Sequence, residues 1–188
     1  MDFYWGKKVN RNYDTQEPSF LEVIGNKIYF YSEIEREKVL QLAKTIRSFN
    51  KTHNQNAGAI ELHISSYGGS IFAGLSIVDE IISSKLPVIT IVDGCCASAA
   101  TLFSVVGKKR LIKAHSYMLI HQLSSMFWGK YQEFEDEMEN LKELMVQIKG
   151  IYKKYTKIPE SIIDDMLKHD LFFNAKKCKE YGLVDDIV

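Results

Sequence analysis

A chain of 188 residues is near the usual size of one domain and long enough to bury a core without disulfide staples, so one domain is expected. Its 24 basic side chains match its 24 acidic ones, which leaves no basic field to gather phosphates or anionic lipid, and neither nucleic acid nor a membrane is expected as a partner. The three cysteines, Cys95, Cys96 and Cys178, are odd in number and two are adjacent, a poor basis for structural disulfides and a pointer to a reducing compartment, the cytoplasm. The N-terminus has no apolar run of signal-peptide length, and the weakly polar stretch 95–106 is too short to span a bilayer.

Residues 1–19 are polar, charged and aperiodic, and predict an irregular arm ahead of a domain over 20–188. Leu21-Glu22-Val23-Ile24 and Ile28-Tyr29-Phe30-Tyr31 flank Gly25-Asn26-Lys27, a strand pattern around a turn. A helix is expected over about 34–49, then a polar loop to Gly58. Ile60-Glu61-Leu62-His63-Ile64-Ser65 alternates like a strand and runs into Tyr67-Gly68-Gly69. Ser70 opens a helix whose apolar residues Ile71, Leu75, Val78, Ile81 and Ile82 recur at helical spacing.

The same grammar repeats. Val88-Ile89-Thr90-Ile91-Val92 is a β-branched run that Gly94 is expected to turn, and 97–106 should be helical. Alternation of strand, glycine turn and helix argues for an α/β domain with functional groups gathered at the turns after the strands. A further strand pair is expected from Arg110-Leu111-Ile112 and Tyr117-Met118-Leu119-Ile120, the second leading directly into His121. From Tyr131 to Tyr155 the apolar residues Phe134, Met138, Leu141, Met145, Ile148, Tyr152 and Tyr155 follow steps of four and three, which predicts a long amphipathic helix. At about 1.5 Å per residue it would reach some 36 Å, beyond what a small domain's own core covers. A short helix should follow Pro159 and run to about Lys168.

The residues that could do chemistry lie at the turns. Ser98 stands in Gly94-Cys95-Cys96-Ala97-Ser98-Ala99-Ala100, between an apolar strand and a helix of small residues, where a nucleophile could project its hydroxyl and the next backbone N–H could face the same space. An ordinary helix cap is the competing reading. A serine needs a base. Of the five histidines, His53 lies in the polar loop, His63 inside a strand, and His115 and His169 in charged or polar surroundings that suggest solvent. His121 ends an apolar strand; a core histidine satisfied by backbone is its alternative. Gly68 and Gly69 allow close approach of backbone to a substrate and could aim an N–H at an oxyanion, or could form a plain turn. Cys95 and Cys96 are rival nucleophiles or small buried hydrophobes. No Cys or His pair has zinc-like spacing, so no metal and no cofactor are expected.

Four blocks in this order, Ser65-Ser66-Tyr67-Gly68-Gly69-Ser70, Gly94-Cys95-Cys96-Ala97-Ser98, Met118-Leu119-Ile120-His121-Gln122 and Asp170-Leu171-Phe172-Phe173-Asn174-Ala175 with Glu180-Tyr181-Gly182-Leu183-Val184-Asp185, resemble the Clp protease proteolytic subunit (ClpP), serine peptidase family S14. The resemblance implies a ClpP/crotonase-like α/β fold of repeated strand-turn-helix units, with 131–155 as a projecting handle helix. It implies Ser98 as nucleophile, His121 as base and Asp170 as the carboxylate on the histidine, with the N–H groups of Gly69 and Ala99 as oxyanion hole. Gly68, Ser70, Ile71, Leu123 and Ser124 would bind a substrate backbone as an added strand. It further implies a homo-oligomer of two stacked heptameric rings, polypeptide substrates, and an AAA+ unfoldase as partner. Residues 1–27 depart from the family's axial-loop segment, which points to a divergent or phage-type member. Two readings of other classes are a silent scaffold subunit in a mixed ring and a crotonase-type acyl-CoA enzyme, which shares the fold without needing a Ser/His/Asp set.

Overall fold

The computed structural model describes residues 19–52 and 58–188; the expected N-terminal arm, apart from Ser19, and His53 lie outside them. Strands β1 (Leu21–Ile24) and β2 (Lys27–Tyr31) form a hairpin closed by Gly25 and Asn26, with Gly25 at φ 61° in the first central turn position. Helix α1 (Arg36–Thr52) follows, then β3 (Ile60–Ser66), α2 (Ile71–Ile82), β4 (Val88–Ala97) and α3 (Ala99–Ser104). The remaining elements are β5 (Lys109–Ile112), β6 (Tyr117–Ile120), α4 (Tyr131–Tyr155), α5 (Glu160–Leu167), β7 (Leu171–Asn174), α6 (Ala175–Glu180) and β8 (Asp186–Ile187).

The strands form one sheet in the order β1-β2-β3-β4-β5-β8, with β6 joined to β4 and β7 to β6. Pairing is parallel from β2 through β3, β4 and β5 to β8, as right-handed strand-helix units require. Ile28 and Phe30 of β2, Leu62 and Ile64 of β3 and Val92 of β4 are buried together with Leu42 and Ile46 of α1, Ile77 and Ile81 of α2, and Leu102 and Phe103 of α3. Fully burying each such side chain is worth about 1.5–3 kcal/mol, so this helix-on-sheet layer anchors the domain.

Three expectations need correction. Gly94 does not turn β4, which passes through it at φ 80° and continues to Ala97. The register beside β3 absorbs the irregularity: Ile64 faces Val92, but Ser66 faces Cys96, a β-bulge. Second, α3 is shorter than expected, 99–104 instead of 97–106, because β4 claims Ala97. Third, β5 and β6 do not pair with each other. Both run parallel to β4, β5 beside 89–92 and β6 beside 95–97, so they are two lengths of one run separated by a jog at 113–116. A hairpin would have reversed the chain. The strands β7 and β8 come from the C-terminal segment, where periodicity had shown no strand.

Helix α4 matches its expected bounds. Glu133 reaches back to the Lys130 N–H at 2.8 Å, and the basic Lys153 and Lys154 lie in the last turn, where the helix dipole favours them. Only its C-terminal half is sunk in the domain, through Ile148 and Tyr152; Phe134 and Met138 are 49% and 56% exposed. The first half therefore projects. No helix of the described residues is long and apolar enough to cross a membrane.

Arg110 ties the far edge together. Its Nε bonds Asp185 Oδ2 at 3.2 Å, its Nη1 bonds Gly182 O at 2.8 Å and also Tyr155 O, and its Nη2 meets Asp185 Oδ1. One guanidinium thus joins β5, the end of α4 and the approach to β8. The hydrogen bond from Arg110 holds the Asp185 carboxyl below the usual carboxylate range. Asp185→Asn is expected to cost about 1–2 kcal/mol at pH 7, the range for a hydrogen bond to a charged group reduced for partial exposure. A depressed carboxyl contributes fully above the unfolded value of about 3.9 and loses its contribution as pH falls through the folded value. Urea denaturation of parent and variant from pH 7 into acid checks this; a gap that does not narrow below that value contradicts it.

Candidate active site

Ser98 occupies the single residue between the end of β4 and the start of α3. It is the one non-glycine among the described residues with positive φ, at φ 55° and ψ −130°. Its backbone is held on both sides: the N–H donates to Leu119 O at 2.9 Å, and the carbonyl accepts from Thr101 N at 3.0 Å and Thr101 Oγ1 at 2.6 Å. Although Ser98 is at the N-cap position of α3, its side chain makes no capping bond. Ser70 offers the contrast, since its Oγ accepts from Ala73 N and caps α2. The cap reading of Ser98 therefore falls away, and its half-buried hydroxyl has no hydrogen-bond partner among the described residues.

The register of two strand pairs brings the other groups alongside. Ala97 is level with Leu119 in the parallel β4–β6 pair, so His121 lies just past the level of Ser98. In the antiparallel β6–β7 pair Ile120 faces Leu171, which sets Asp170 opposite His121. His121 Nδ1 and Asp170 Oδ1 are 3.7 Å apart, close enough to attract but beyond a hydrogen bond. The imidazole is 23% exposed and the carboxylate 82%. Beyond His121 the chain is pinned by Gln122 N donating to Leu167 O at 2.8 Å.

The other histidines separate from His121 as their sequence contexts implied. His115 and His169 are exposed. His63 is buried in β3, stacked on Tyr29 at 4.5 Å with neither ring nitrogen hydrogen-bonded, and loss of solvent lowers its pKa. The rival thiols are poor nucleophiles here. Burial raises the pKa of Cys95, and raises that of the fully buried Cys96 much further, so neither is a ready thiolate at neutral pH.

Gly68 and Gly69 fit two different neighbours. A Cβ on Gly68 would lie 2.6 Å from Ser98 Cβ and 3.2 Å from its Oγ; one on Gly69 would lie 2.5 Å from Ile34 O. Both have positive φ, 100° and 141°. The Gly68 N–H is taken by Ser66 Oγ and the Ser70 N–H by Ile34 O. Among the described residues the N–H groups of Gly69 and Ala99 have no partner, the condition an oxyanion pair must meet.

Of the residues expected to bind a substrate strand, Ser70 is spent on both sides, since its N–H serves Ile34 O and its carbonyl accepts from Gly74 N. Ile71 is already the first residue of α2 and half-buried. Leu123 is half-buried against the core and Ser124 is exposed, in a stretch 121–130 that has no regular structure and no strand partner among the described residues. Between Gln122 and Lys130 that stretch offers the longer run of free backbone. No cluster of three His, Cys, Asp or Glu among the described residues could hold a metal ion. The hydroxyls of Thr101 and Tyr152 meet behind Ser98; a partner 51 residues away leaves no local signal in the sequence.

Residues 14–188 match the Clp protease family. The chain belongs to the Clp protease family. It is the proteolytic-subunit branch, peptidase family S14, that the relatives bear out. The chain is 32% identical over 132 residues to the ATP-dependent Clp protease proteolytic subunit of Deinococcus radiodurans, covering 69% of this chain and 64% of that relative, just under two thirds of its length. It is 29% identical over 170 residues to the subunit of the same description from Chlorella vulgaris, covering 84% of each. Among solved structures, a ClpP1 mutant from Listeria monocytogenes superposes with a TM-score of 0.79 at 23% identity, over 87% of this chain and 91% of the other. The fold is thus the ClpP fold, and the family is one of oligomeric assemblies.

The contact between Gly68 and Ser98 yields a prediction. Gly68→Ala forces a side chain into positive φ and against Ser98 Cβ, so Ser98 must shift. With Ser98 as the reacting group, hydrolysis of a fluorogenic peptide should drop by about tenfold or more, since misplacement by an ångström at such a group can cost about 10²-fold. Unchanged kcat in a folded Gly68→Ala protein would show that Ser98 position is immaterial to activity.

Proposed function

We propose that this chain is a serine endopeptidase subunit that cleaves peptide bonds of unfolded polypeptides or short peptides through an acyl-enzyme at Ser98. The observation that carries the reading is the convergence of an uncapped serine at φ 55° with a histidine and carboxylate set level with it by strand register. Ser98 Oγ attacks the scissile carbonyl while His121 accepts its proton, and the N–H groups of Gly69 and Ala99 receive the developing negative charge. His121 then protonates the departing amine. Water, deprotonated by His121, releases the acyl group and restores the serine. Asp170 keeps the Nδ1 proton facing it and so leaves Nε2 free for Ser98. A substrate backbone would lie beside Gly69 and the stretch after Gln122.

The assembly belongs to the same reading. Met126 is 100% exposed, Trp128 96% and Tyr131 77%, beside Phe134 and Met138 on the projecting half of α4. Apolar surface of this extent marks an association face. Two stacked heptameric rings, joined through this arm, would cover it and enclose a chamber. An AAA+ unfoldase would feed that chamber, as the ATP-dependent relatives suggest. The free thiols of Cys95, Cys96 and Cys178 fit the reducing cytoplasm.

A fluorophosphonate probe should label the parent protein at Ser98 and fail to label Ser98→Ala, in which peptide hydrolysis falls on the order of 10⁵-fold if the three groups act as a unit. Labelling elsewhere, or hydrolysis that survives in Ser98→Ala, would leave the scaffold or acyl-CoA reading in its place. Replacing Met138 and Leu141 with aspartate should split the assembly into single rings or smaller species and lower peptidase activity with it. Analytical ultracentrifugation beside the peptidase assay reads both, and a fully active monomer refutes the coupling.

A further inference from the structure

Behind Ser98 two buried hydroxyls form a chain. Thr101 is fully buried and Tyr152 is 3% exposed. Thr101 Oγ1 lies 2.6 Å from Ser98 O and 2.6 Å from Tyr152 Oη. A threonine hydroxyl carries one proton, and the Ser98 carbonyl can only accept, so Thr101 donates to Ser98 and Tyr152 donates to Thr101. Burial raises the Tyr152 pKa, which keeps that donor protonated. A buried tyrosine hydroxyl requires some partner, and this accounts for the Tyr152–Thr101 bond alone. It does not account for where the chain ends.

The Ser98 carbonyl and the Ala99 N–H are the two faces of one peptide unit. That unit is planar and trans, so the N–H points opposite to the carbonyl, and whatever fixes one fixes the other. Thr101 grips the carbonyl twice, through its backbone N–H at 3.0 Å and through Oγ1. The Ala99 N–H is left without a partner among the described residues. We propose that Thr101 and Tyr152 are positioning residues that hold the Ser98–Ala99 peptide so that the Ala99 N–H is aimed at the oxyanion. The inference rests on the reading of Ser98 as nucleophile and adds to it residues that touch no substrate. Since the oxyanion forms only in the transition state, its loss falls on kcat and leaves substrate binding alone.

The test compares Thr101→Val, which keeps the shape and removes the hydroxyl, with Thr101→Ser, which restores it, and with Tyr152→Phe. All are made in the full chain and assayed as assembled. Thr101→Val and Tyr152→Phe should each lower kcat by about tenfold, less than outright loss of an oxyanion donor, with KM within about twofold. Thr101→Ser should recover most of the rate, and a peptide boronate, whose tetrahedral adduct places an oxygen in the oxyanion position, should bind the two hydroxyl-deficient variants more weakly by the same factor. The inference is overturned by unchanged kcat in either hydroxyl-deficient variant, by a loss confined to KM, or by a loss that Thr101→Ser does not recover. If Thr101→Val does not fold, Tyr152→Phe, one oxygen smaller, decides alone. Ser98→Ala run in parallel separates the two readings: hydrolysis that survives in it removes the nucleophile, whereas hydrolysis lost in it but untouched in Tyr152→Phe removes only the positioning role.

Discussion

The candidate site depends on β4 continuing past Gly94. Up to Val92 the strand is an interior member of the parallel sheet, paired with β3 on one edge and β5 on the other. At 93–94 it bulges, and the facing chain does the same at 113–116. The two irregularities are tied by the Gly94 N–H, which donates to the buried Ser116 Oγ at 2.7 Å. Glycine is suited to this place because the backbone there has φ 80°, a conformation that L side chains rarely adopt. Past the bulge β4 resumes beside β6, and β6 brings β7. Had the strand ended at Gly94, Ser98 would hang in a loop with no neighbouring strand to set His121 and Asp170 level with it.

The short distance from bulge to helix concentrates strain at one residue. A non-glycine backbone at φ 55° costs on the order of 1–3 kcal/mol, and the surroundings hold it there by shape and by hydrogen bonds. Ala97, Ala99 and Ala100 are buried; a Cβ added to Gly74 would come within 3.3 Å of Ala99 Cβ, and Gly68 has no room for one against Ser98. The alanine- and glycine-rich composition around Ser98 is therefore a packing requirement, because any larger side chain would push α3 off the sheet. The neighbouring thiols serve the same end. Cys178, whose pKa burial pushes up to about 12, donates to Phe173 O and fills space under β7.

What the sequence made legible was local. The seam of α4 is seven apolar residues at helical steps, and its bounds could be read directly. The strand before His121 is four apolar residues, long enough to place the histidine at a strand end. The failures were all non-local. Gly94 has the same local signature whether a strand turns there or bulges, and only the register against Ser66 and Cys96 distinguishes the cases. Arg110–Ile112 and Tyr117–Ile120 are separated by a hairpin-like interval, yet both follow β4. Leu171–Asn174 is too short for periodicity to report; its strand is made by pairing with β6. Thr101 and Tyr152 were invisible for the same reason, since a hydrogen bond between residues far apart in sequence leaves no pattern in either.

The exposed surface and the candidate site meet through one helix. His121 leads through the unpaired stretch 121–130 into the N-terminus of α4, and the C-terminal half of α4 returns to the core with Tyr152 behind the Ser98 carbonyl. The stretch 121–130 thus ties His121 to the start of the helix, and the C-terminal half of the helix lies behind the peptide after Ser98. Its first half is the part left outside, with Phe134 and Met138 half-exposed, and Asp170, 3.7 Å from His121, is likewise open to solvent. On the proposed reading a partner that packs on the arm orders the stretch after His121. The same contact bears on the helix that carries Tyr152. Assembly and alignment then become one equilibrium, because the element that gathers subunits is also the element that frames the serine, the histidine and the peptide between them.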